Sequence, residues 1–506
     1  MTIIKEVAEK IHPQPVKFHK GLDVFFLFLC VVYVLAGISL VPFHGDESAY
    51  LILSEDYDLV FKKGEVEKIL FDPAGKNKQY LRLSTGAILA FSIGFARDIT
   101  NNEDPINKWL WGSSWEDNLA LGNLPTPQLL NLARTCSALL GAFSVVMFFY
   151  LALQLFGSRL AAWIAVLALV TQGGVLVNIR RAMQEGPKFF FLILTAYIAT
   201  YILRSLERMQ IRRSQYFFLG IASGLTLAAK QDVAPMLLAI YAALAFMPVF
   251  KKNTLQYFFI NVLYLGAATL LAYATFLAFM PAFWRWWESV LALTGVALVL
   301  LQIPLLKRDR IAKFLTLAGL GLSVGMTVLS PALWTQLHTP LVSMLELRES
   351  IVGGQLNVTS EQGALDMNSK MNRLSFLVEN TVSTNVMYME TTSFDVPPVH
   401  AQIQAYEDSF LSGRTGMPFV DGVVLMLALV GARTLFRKAA AESVYVYSLL
   451  LITAVFLFVT IPLPWQRYFL ILQIPYLLFV GVGGAQLSGW IKHLTSPASF
   501  QKETAS

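Results

Sequence analysis

Asp46 and Glu47 follow closely on the first long apolar run of the chain, Leu22 to Val41, within the stretch His44-Gly45-Asp46-Glu47-Ser48-Ala49-Tyr50. Charge at the edge of an apolar span is costly and tends to be kept for a purpose. A carboxylate held there, partly desolvated, is suited to take a proton from an incoming hydroxyl, because partial burial raises its pKa toward the working pH. Asp46 is the expected base, with Glu47 beside it and His44 and Tyr50 as flanking contacts. Three more stretches carry charge at the ends of apolar runs: Asn178 to Pro187 with Arg180, Arg181 and Glu185, Ala228 to Asp232 with Lys230, and Pro462 to Phe469 with Arg467 and Tyr468. Guanidinium matches phosphate in bidentate fashion and ammonium is a compact positive charge, so if the electrophile is a sugar joined to a lipid phosphate, Arg181, Lys230 and Arg467 are the candidates for the negative charge that grows as the bond breaks. Phosphate leaves readily without a general acid, so one reactive carboxylate suffices, and direct displacement of it from a sugar inverts the anomeric centre.

These residues need elements to hold them, and the composition says which. The 506 residues are 56% hydrophobic and 14% charged, a balance too apolar for a soluble globule and right for a multi-span membrane protein. An apolar run of roughly 17 to 25 residues covers a hydrocarbon core of about 30 Å. Such runs lie at Leu22 to Val41, Leu129 to Phe156, Leu160 to Val177, Phe189 to Leu203, Tyr216 to Ala229 and Val233 to Val249, and again at Tyr257 to Met280, Ser289 to Leu306, Phe314 to Leu329, Phe419 to Leu435, Val444 to Ile461 and Tyr468 to Leu487. The expected fold is therefore all-α and polytopic, with about 12 transmembrane helices. The first run lacks a cleavage pattern and reads as an uncleaved anchor behind the basic segment with Lys5, Lys10, Lys17 and Lys20.

Lys and Arg near span ends set orientation. With the N-terminus in the cytoplasm, the connectors carrying Arg159, Arg204 to Arg213, Lys251 and Lys252, Lys307 to Lys313, Arg433 to Lys438, and Lys492 all fall inside. Two long segments, Pro42 to Gln128 and Ser330 to Pro418, then fall outside, as do the short turns that hold Arg180, Arg181, Lys188, Lys230, Arg285 and Arg467. Those six cations break the rule, and a phosphate-bearing ligand at the outer surface explains them as a set; singly, each also suits a side chain snorkelling to the interface. The chain divides into a cytoplasmic segment 1–20, a transmembrane module 21–330 with its first outer loop at 42–128, a large outer loop 331–418, C-terminal helices 419–487 and a cytoplasmic tail 488–506. Within the first loop, Leu83 to Ala96 is too short to span and reads as an interfacial or re-entrant helix. Trp109, Trp111, Trp115, Trp284, Trp286 and Trp287 suit a headgroup-level belt, and the second long segment shows no periodicity.

Taken together, these stretches resemble the GT-C class of membrane glycosyltransferases, within it the branch of protein O-mannosyltransferases and aminoarabinose-type lipid A transferases. Asp46-Glu47 is similar to that family's acidic pair after the first span, "RRAMQEGP" to its second outer turn, "GLTLAAKQD" to its G-L-x-x-x-x-K stretch and "PWQRYFLILQIP" to its late R-Y-x-x-x-x-x-P stretch. The resemblance implies a GT-C fold and Asp46 as base. It also implies a phosphate-contacting role for Arg180 or Arg181, a supporting one for Glu185, a polyprenyl-phosphate sugar as donor, and an acceptor that is a protein, a lipid or a glycan. The large soluble sugar-binding insert of eukaryotic protein O-mannosyltransferases has no counterpart here, and 330–418 matches no motif.

Other classes fit less well. No polybasic patch with interleaved aromatics points to nucleic acid, Cys30 and Cys136 both fall in apolar runs, and His338 and His400 form no ligand spacing with His44, so no metal or other cofactor is expected. Glycines around Gly481 read as close helix packing. A transporter or lipid-linked sugar flippase remains the alternative, although carriers show repeated halves and midplane charges. An oligosaccharyl-transferase-like enzyme is a further rival; it normally brings a large soluble C-terminal domain, and only a short tail follows Leu487. A compact chain favours a prokaryotic inner membrane with the site on the non-cytoplasmic face.

Overall fold

The computed structural model describes residues 20–72, 79–250, 255–305, 309–361, 367–388, 395–438, 440–461 and 463–495. Lys5, Lys10 and Lys17 and the basic pairs at 251–252 and 307–308 lie outside them. Among the described residues the chain is helical, and each of the twelve apolar runs contains a helix. In chain order these are α1 (Lys20–Ala36), the loop helices α2 (Gly45–Leu53) and α3 (Ala87–Ile99), then α4 (Pro127–Phe156), α5 (Arg159–Val170), α6 (Gly173–Arg180), α7 (Glu185–Glu207), α8 (Arg213–Ala229), α9 (Ala234–Phe250), α10 (Leu255–Phe279), α11 (Trp287–Gln302) and α12 (Arg310–Leu329). Three helices of the second long segment follow, α13 (Thr339–Glu361), α14 (Lys370–Val382) and α15 (Pro397–Glu407), and then α16 (Pro418–Lys438), α17 (Ala441–Thr460) and α18 (Gln473–Thr495). Among the described residues, ten helical segments are long and apolar enough to cross a membrane, while α5 and α8, with 12 and 17 residues, are shorter.

Several boundaries differ from the apolar pattern, each for a local reason. The run expected at Leu160 to Val177 is divided, because the Thr171 carbonyl accepts from the Arg414 amide at 2.6 Å and the Gln172 side chain caps α6 through the Gly174 amide at 2.9 Å. The second long segment contains α13 to α15 where no periodicity was read. Its helix α14 buries Phe376, Asn380 and Thr381 on one face and is amphipathic at the helical period, so the expectation of no periodicity does not hold there. The last helix continues through Thr495, past the start expected for the tail at 488.

In lipid, helices have no hydrophobic reason to associate, so they meet through small residues and close packing. The expectation for the glycines near Gly481 holds: Gly483 on α18 lies against the Leu427 carbonyl of α16, and Gly431 on α16 against the Phe479 carbonyl of α18, with no room for a Cβ at either place. A continuous core of buried side chains, among them Phe148 and Phe149 of α4, Leu192 of α7 and Leu477 of α18, runs through these helices. It fixes the ends of α1, α7, α9 and α18 near one another, and the four charged stretches sit at those ends.

Candidate active site

The first charged stretch is organised by helix capping. His44 is the N-cap of α2: its Nδ1 accepts from the Asp46 amide at 3.2 Å, while Glu47 Oε2 accepts from the His44 amide at 3.0 Å, a reciprocal capping box. Glu47 then meets Arg134 of α4 in a two-pronged pair, Nε to Oε1 and Nη2 to Oε2 both at 2.8 Å, and Oε1 also accepts from the Ala182 amide at 2.8 Å. The remaining Arg134 nitrogen donates to the carbonyls of Val41 (2.8 Å) and Ile38 (3.2 Å). Glu47 is therefore a bracket joining the end of α1, the start of α2, α4 and the turn before α7. Burial pushes its carboxyl up, but Arg134 outweighs that and holds it below the usual range. With both oxygens engaged in four hydrogen bonds and no solvent exposure, Glu47 has no capacity left for a reacting proton. The structure places Glu47, expected beside the base, in a buried bracket rather than with an oxygen open to a substrate.

One residue earlier, the Asp46 side chain keeps 27% of its surface exposed, and its Oδ2 accepts from Arg467 Nη1 at 2.5 Å. The expectation of a raised pKa is overturned. Burial does push Asp46 up, but the Arg467 guanidinium wins and the carboxyl lies below its ordinary value, so Asp46 is an ionised carboxylate at neutral pH. His44, 3% exposed, is driven the other way: burial pulls it down to about 3, which keeps the ring neutral and its Nδ1 an acceptor. The expected substrate contact is replaced by a cap.

Arg467 stands in the short helix Gln466–Phe469 between α17 and α18, its guanidinium carbon 4.8 Å from the centre of the Trp465 ring and 5.9 Å from that of Tyr468. The two rings stack nearly parallel at 5.7 Å. Lys230, at the C-terminal end of α8, places its ammonium 5.4 Å from the centre of the Tyr468 ring, pairs with Glu185 and lies 3.4 Å from Asp232. Burial alone pulls Lys230 down; Asp232 and Glu185 more than reverse it, so the ammonium stays charged. Lys188, with no exposed surface, lies 3.2 Å from Asp232 and 3.5 Å from Glu185 and donates to the Arg467 carbonyl at 3.0 Å. Tyr50 is buried within the same electrostatic neighbourhood as Lys230, Glu185 and Asp46, and burial raises its hydroxyl pKa. Asp46, Tyr50, Glu185, Lys230, Arg467 and Tyr468 thus come together from four separate stretches.

The two arginines before α7 part company. Arg181 is 2% exposed and donates to the Tyr388 carbonyl at 3.0 Å, close enough to the cluster to act on His44 and Glu47. Arg180 turns toward α1, donating to the carbonyls of Val34 (2.8 Å), Tyr33 (2.5 Å) and Leu411 and to the Tyr406 hydroxyl (2.9 Å). Its expected phosphate contact is corrected to a structural tie. The second long segment also reaches the site: the Gln466 side chain donates to the Asn385 carbonyl at 2.7 Å and accepts from the Met387 amide at 3.0 Å.

Sequence reasoning gave no role to Arg134 or Asp232, and Lys188 entered only as one of the six outer cations. A lone arginine inside an apolar run was the available signal for Arg134. Among the described residues, no group of three or more His, Cys, Asp and Glu side chains is placed to hold a metal ion.

Residues 113–284, which include Arg134, Arg181, Glu185, Lys188 and Lys230, match the family described as dolichyl-phosphate-mannose-protein mannosyltransferase. That match covers about a third of the chain, a segment similar to the protein-mannosyltransferase family. The resemblance to the GT-C class read from the short motifs is borne out at that level. No curated protein matches the chain. Among solved structures it is similar to the S. cerevisiae protein O-mannosyltransferase Pmt1-Pmt2 complex bound to the sugar donor (14% identity, 55% of this chain and 35% of that one, TM-score 0.38). It is also similar to the oligosaccharyltransferase AglB of Archaeoglobus fulgidus in complex with an inhibitory peptide and a dolichol-phosphate (14%, 92% and 50%, TM-score 0.44) and to ArnT of Cupriavidus metallidurans bound to undecaprenyl phosphate (14%, 95% and 82%, TM-score 0.32). The chain spans about a third of the length of the yeast chain and half that of the archaeal one.

Proposed function

We propose that this protein is an inverting glycosyltransferase that moves a sugar from a polyprenyl-phosphate donor to a hydroxyl of a protein, lipid or glycan acceptor, at the non-cytoplasmic face of a prokaryotic inner membrane. The observation that carries the reading is the Asp46 Oδ2 to Arg467 Nη1 contact of 2.5 Å, with the Lys230 charge acting on the same carboxylate, where four span ends meet. The matched family description names a dolichyl-phosphate sugar, which supports a lipid-phosphate donor.

The chemistry follows from the groups present. The acceptor oxygen attacks the anomeric carbon as the bond from that carbon to the phosphate oxygen breaks. The hydroxyl proton passes to Asp46, and the polyprenyl phosphate leaves with one more negative charge than the donor carried. Arg467 and Lys230 stand where that charge grows, mostly buried and preorganised by their carboxylate partners. Arg181 contributes positive potential from the wall, and Glu185, Asp232 and Lys188 hold Lys230 and the Arg467 backbone in place. Basic residues such as Arg204, Arg212, Arg433 and Arg437 lie at the opposite span ends, which supports the outward face for the site.

The test uses purified full-length protein in liposomes with polyprenyl-phosphate mannose and hydroxyl acceptors of the three classes. Release of polyprenyl phosphate that requires both an acceptor and Asp46 supports the proposal. Full turnover by Asp46→Asn, or lipid crossing the bilayer with no glycosidic bond broken, refutes it.

A further inference from the structure

Three tryptophans follow one another closely in the first long segment, and the structure separates them. Trp109 and Trp115 are each 3% exposed, pack edge-on against Phe43 at 5.4 and 6.3 Å, and lie 5.1 Å from each other. They form an internal wedge with Val399, so the headgroup-belt expectation does not hold for them. Trp111 is 41% exposed. Its indole lies against Gly45, where a Cβ would come 2.8 Å from Cζ2 and 2.9 Å from Cη2 of that ring, and it meets the His44 imidazole at 6.0 Å and 63°.

That placement is specific. Trp111 sits on the Gly45 backbone and against the His44 ring, whose Nδ1 lies 3.9 Å from Asp46 Oδ2, so it offers apolar ring surface one residue away from the reacting carboxylate, while Arg467 grips Asp46 through Oδ2. An indole serving only as a membrane anchor has no need to be seated on a glycine and a histidine that cap α2. A pyranose has C–H groups that carry slight positive charge, and these pack on an aromatic ring whose face is negative. Phosphate at the cations and sugar on the indole would leave the anomeric carbon between them, next to Asp46.

We infer that Trp111 is the platform for the donor's sugar ring, a specificity-determining contact that holds the pyranose against Asp46; this rests on the glycosyl-transfer reading above. The decisive comparison is binding of two probes to the full-length protein in nanodiscs: polyprenyl phosphate, which lacks the sugar, and polyprenyl-phosphate mannose. For Trp111→Ala the inference expects roughly threefold to tenfold weaker binding of the sugar-bearing lipid, unchanged binding of the sugar-free lipid, and a higher KM for donor. Trp111→Phe should recover most of the loss, which separates a ring contact from a folding defect. Equal weakening of both lipids, or no change in either, overturns the platform and leaves glycosyl transfer standing. Wild-type protein that binds neither lipid overturns the transfer reading itself, and the platform with it.

Discussion

Arg467 reaches Asp46 across 421 residues of chain and closes a contact of 2.5 Å. This contact joins the proposed base to a proposed phosphate ligand, so the two cannot both act while it is intact. A donor phosphate that draws Arg467 toward itself removes the partner that depresses Asp46 and adds a nearby negative charge; both changes raise the affinity of the carboxylate for a proton. Donor binding would thereby prepare the base, and an acceptor arriving first would meet a weaker one. For Arg467→Gln we expect turnover to fall roughly 10²- to 10³-fold, the scale for loss of one preorganised stabilising group.

The same contact sets a pH signature. Asp46 must be ionised to take a proton, and its depressed value in the donor-free protein keeps it ionised below the usual carboxylate range near 3.9. The acidic limb of kcat/KM for donor, which reports the donor-free enzyme, should therefore lie below that range and move upward in Arg467→Gln. An acidic limb that stays in place in the variant would separate the titration from Arg467.

Asp46 and Glu47 are adjacent, and their variants should fail differently. Asp46→Asn removes the base and should cost roughly 10²- to 10⁴-fold in turnover with cooperative thermal unfolding retained. Glu47→Gln leaves Arg134 buried without its counter-charge and should cost ~3–5 kcal/mol of stability, read as a lower melting temperature. The sign with pH follows from the depressed Glu47 value: its contribution is fully present above the unfolded pKa near 4.3 and is lost as pH falls through the folded value. Replacing the pair together by Gln and Met should recover part of the loss, since no charge is then buried alone.

Much of this was legible in the sequence, and what was not has physical causes. The twelve apolar runs each contain a helix because crossing a bilayer demands length and apolarity together, both visible in a window. The four charged stretches meet because they terminate spans at one end. What a window does not reveal is azimuth: Asp46 and Glu47 lie about 100° apart around α2, which leaves one carboxylate partly exposed beside Arg467 and sends the other into the bundle. Arg180 and Arg181 diverge for a similar reason, as one closes α6 and the other begins the extended turn after it. The direction of the Asp46 shift was misjudged because burial was visible locally, whereas the cation that outweighs it arrives from the far end of the chain.

Lys188 gives a further test, because it is buried, touches no exposed surface and acts through others. Its ammonium ties α7 to the Arg467 carbonyl and neutralises Asp232. Lys188→Met should loosen the Gln466–Phe469 helix and leave Asp232 to Lys230 alone, raising KM for donor more than it lowers kcat. Lys188→Arg is too large for the space and should not rescue. A variant that loses stability with unchanged KM in the folded fraction would confine Lys188 to holding the bundle together.

Arg180 supplies the contrasting case. Its guanidinium is spent on the carbonyls of Tyr33, Val34 and Leu411 and on the Tyr406 hydroxyl, which pins the end of α1 to the second long segment. Arg180→Leu strands those acceptors in a buried setting, at ~1–3 kcal/mol for each unsatisfied group, so the melting temperature should drop. Activity per folded molecule should stay within about twofold of wild type, because no partner of Arg180 belongs to the Asp46 cluster. Arg181→Leu should do the reverse: the positive potential it places on His44 and Glu47 at the edge of the cluster is lost, and donor affinity should weaken by roughly tenfold, the scale of a single ~1.4 kcal/mol charge interaction. Titrating both variants with sugar-free polyprenyl phosphate, alongside thermal melts, assigns each arginine of the pair to bundle or substrate; a donor-affinity loss confined to Arg180→Leu would reverse that assignment.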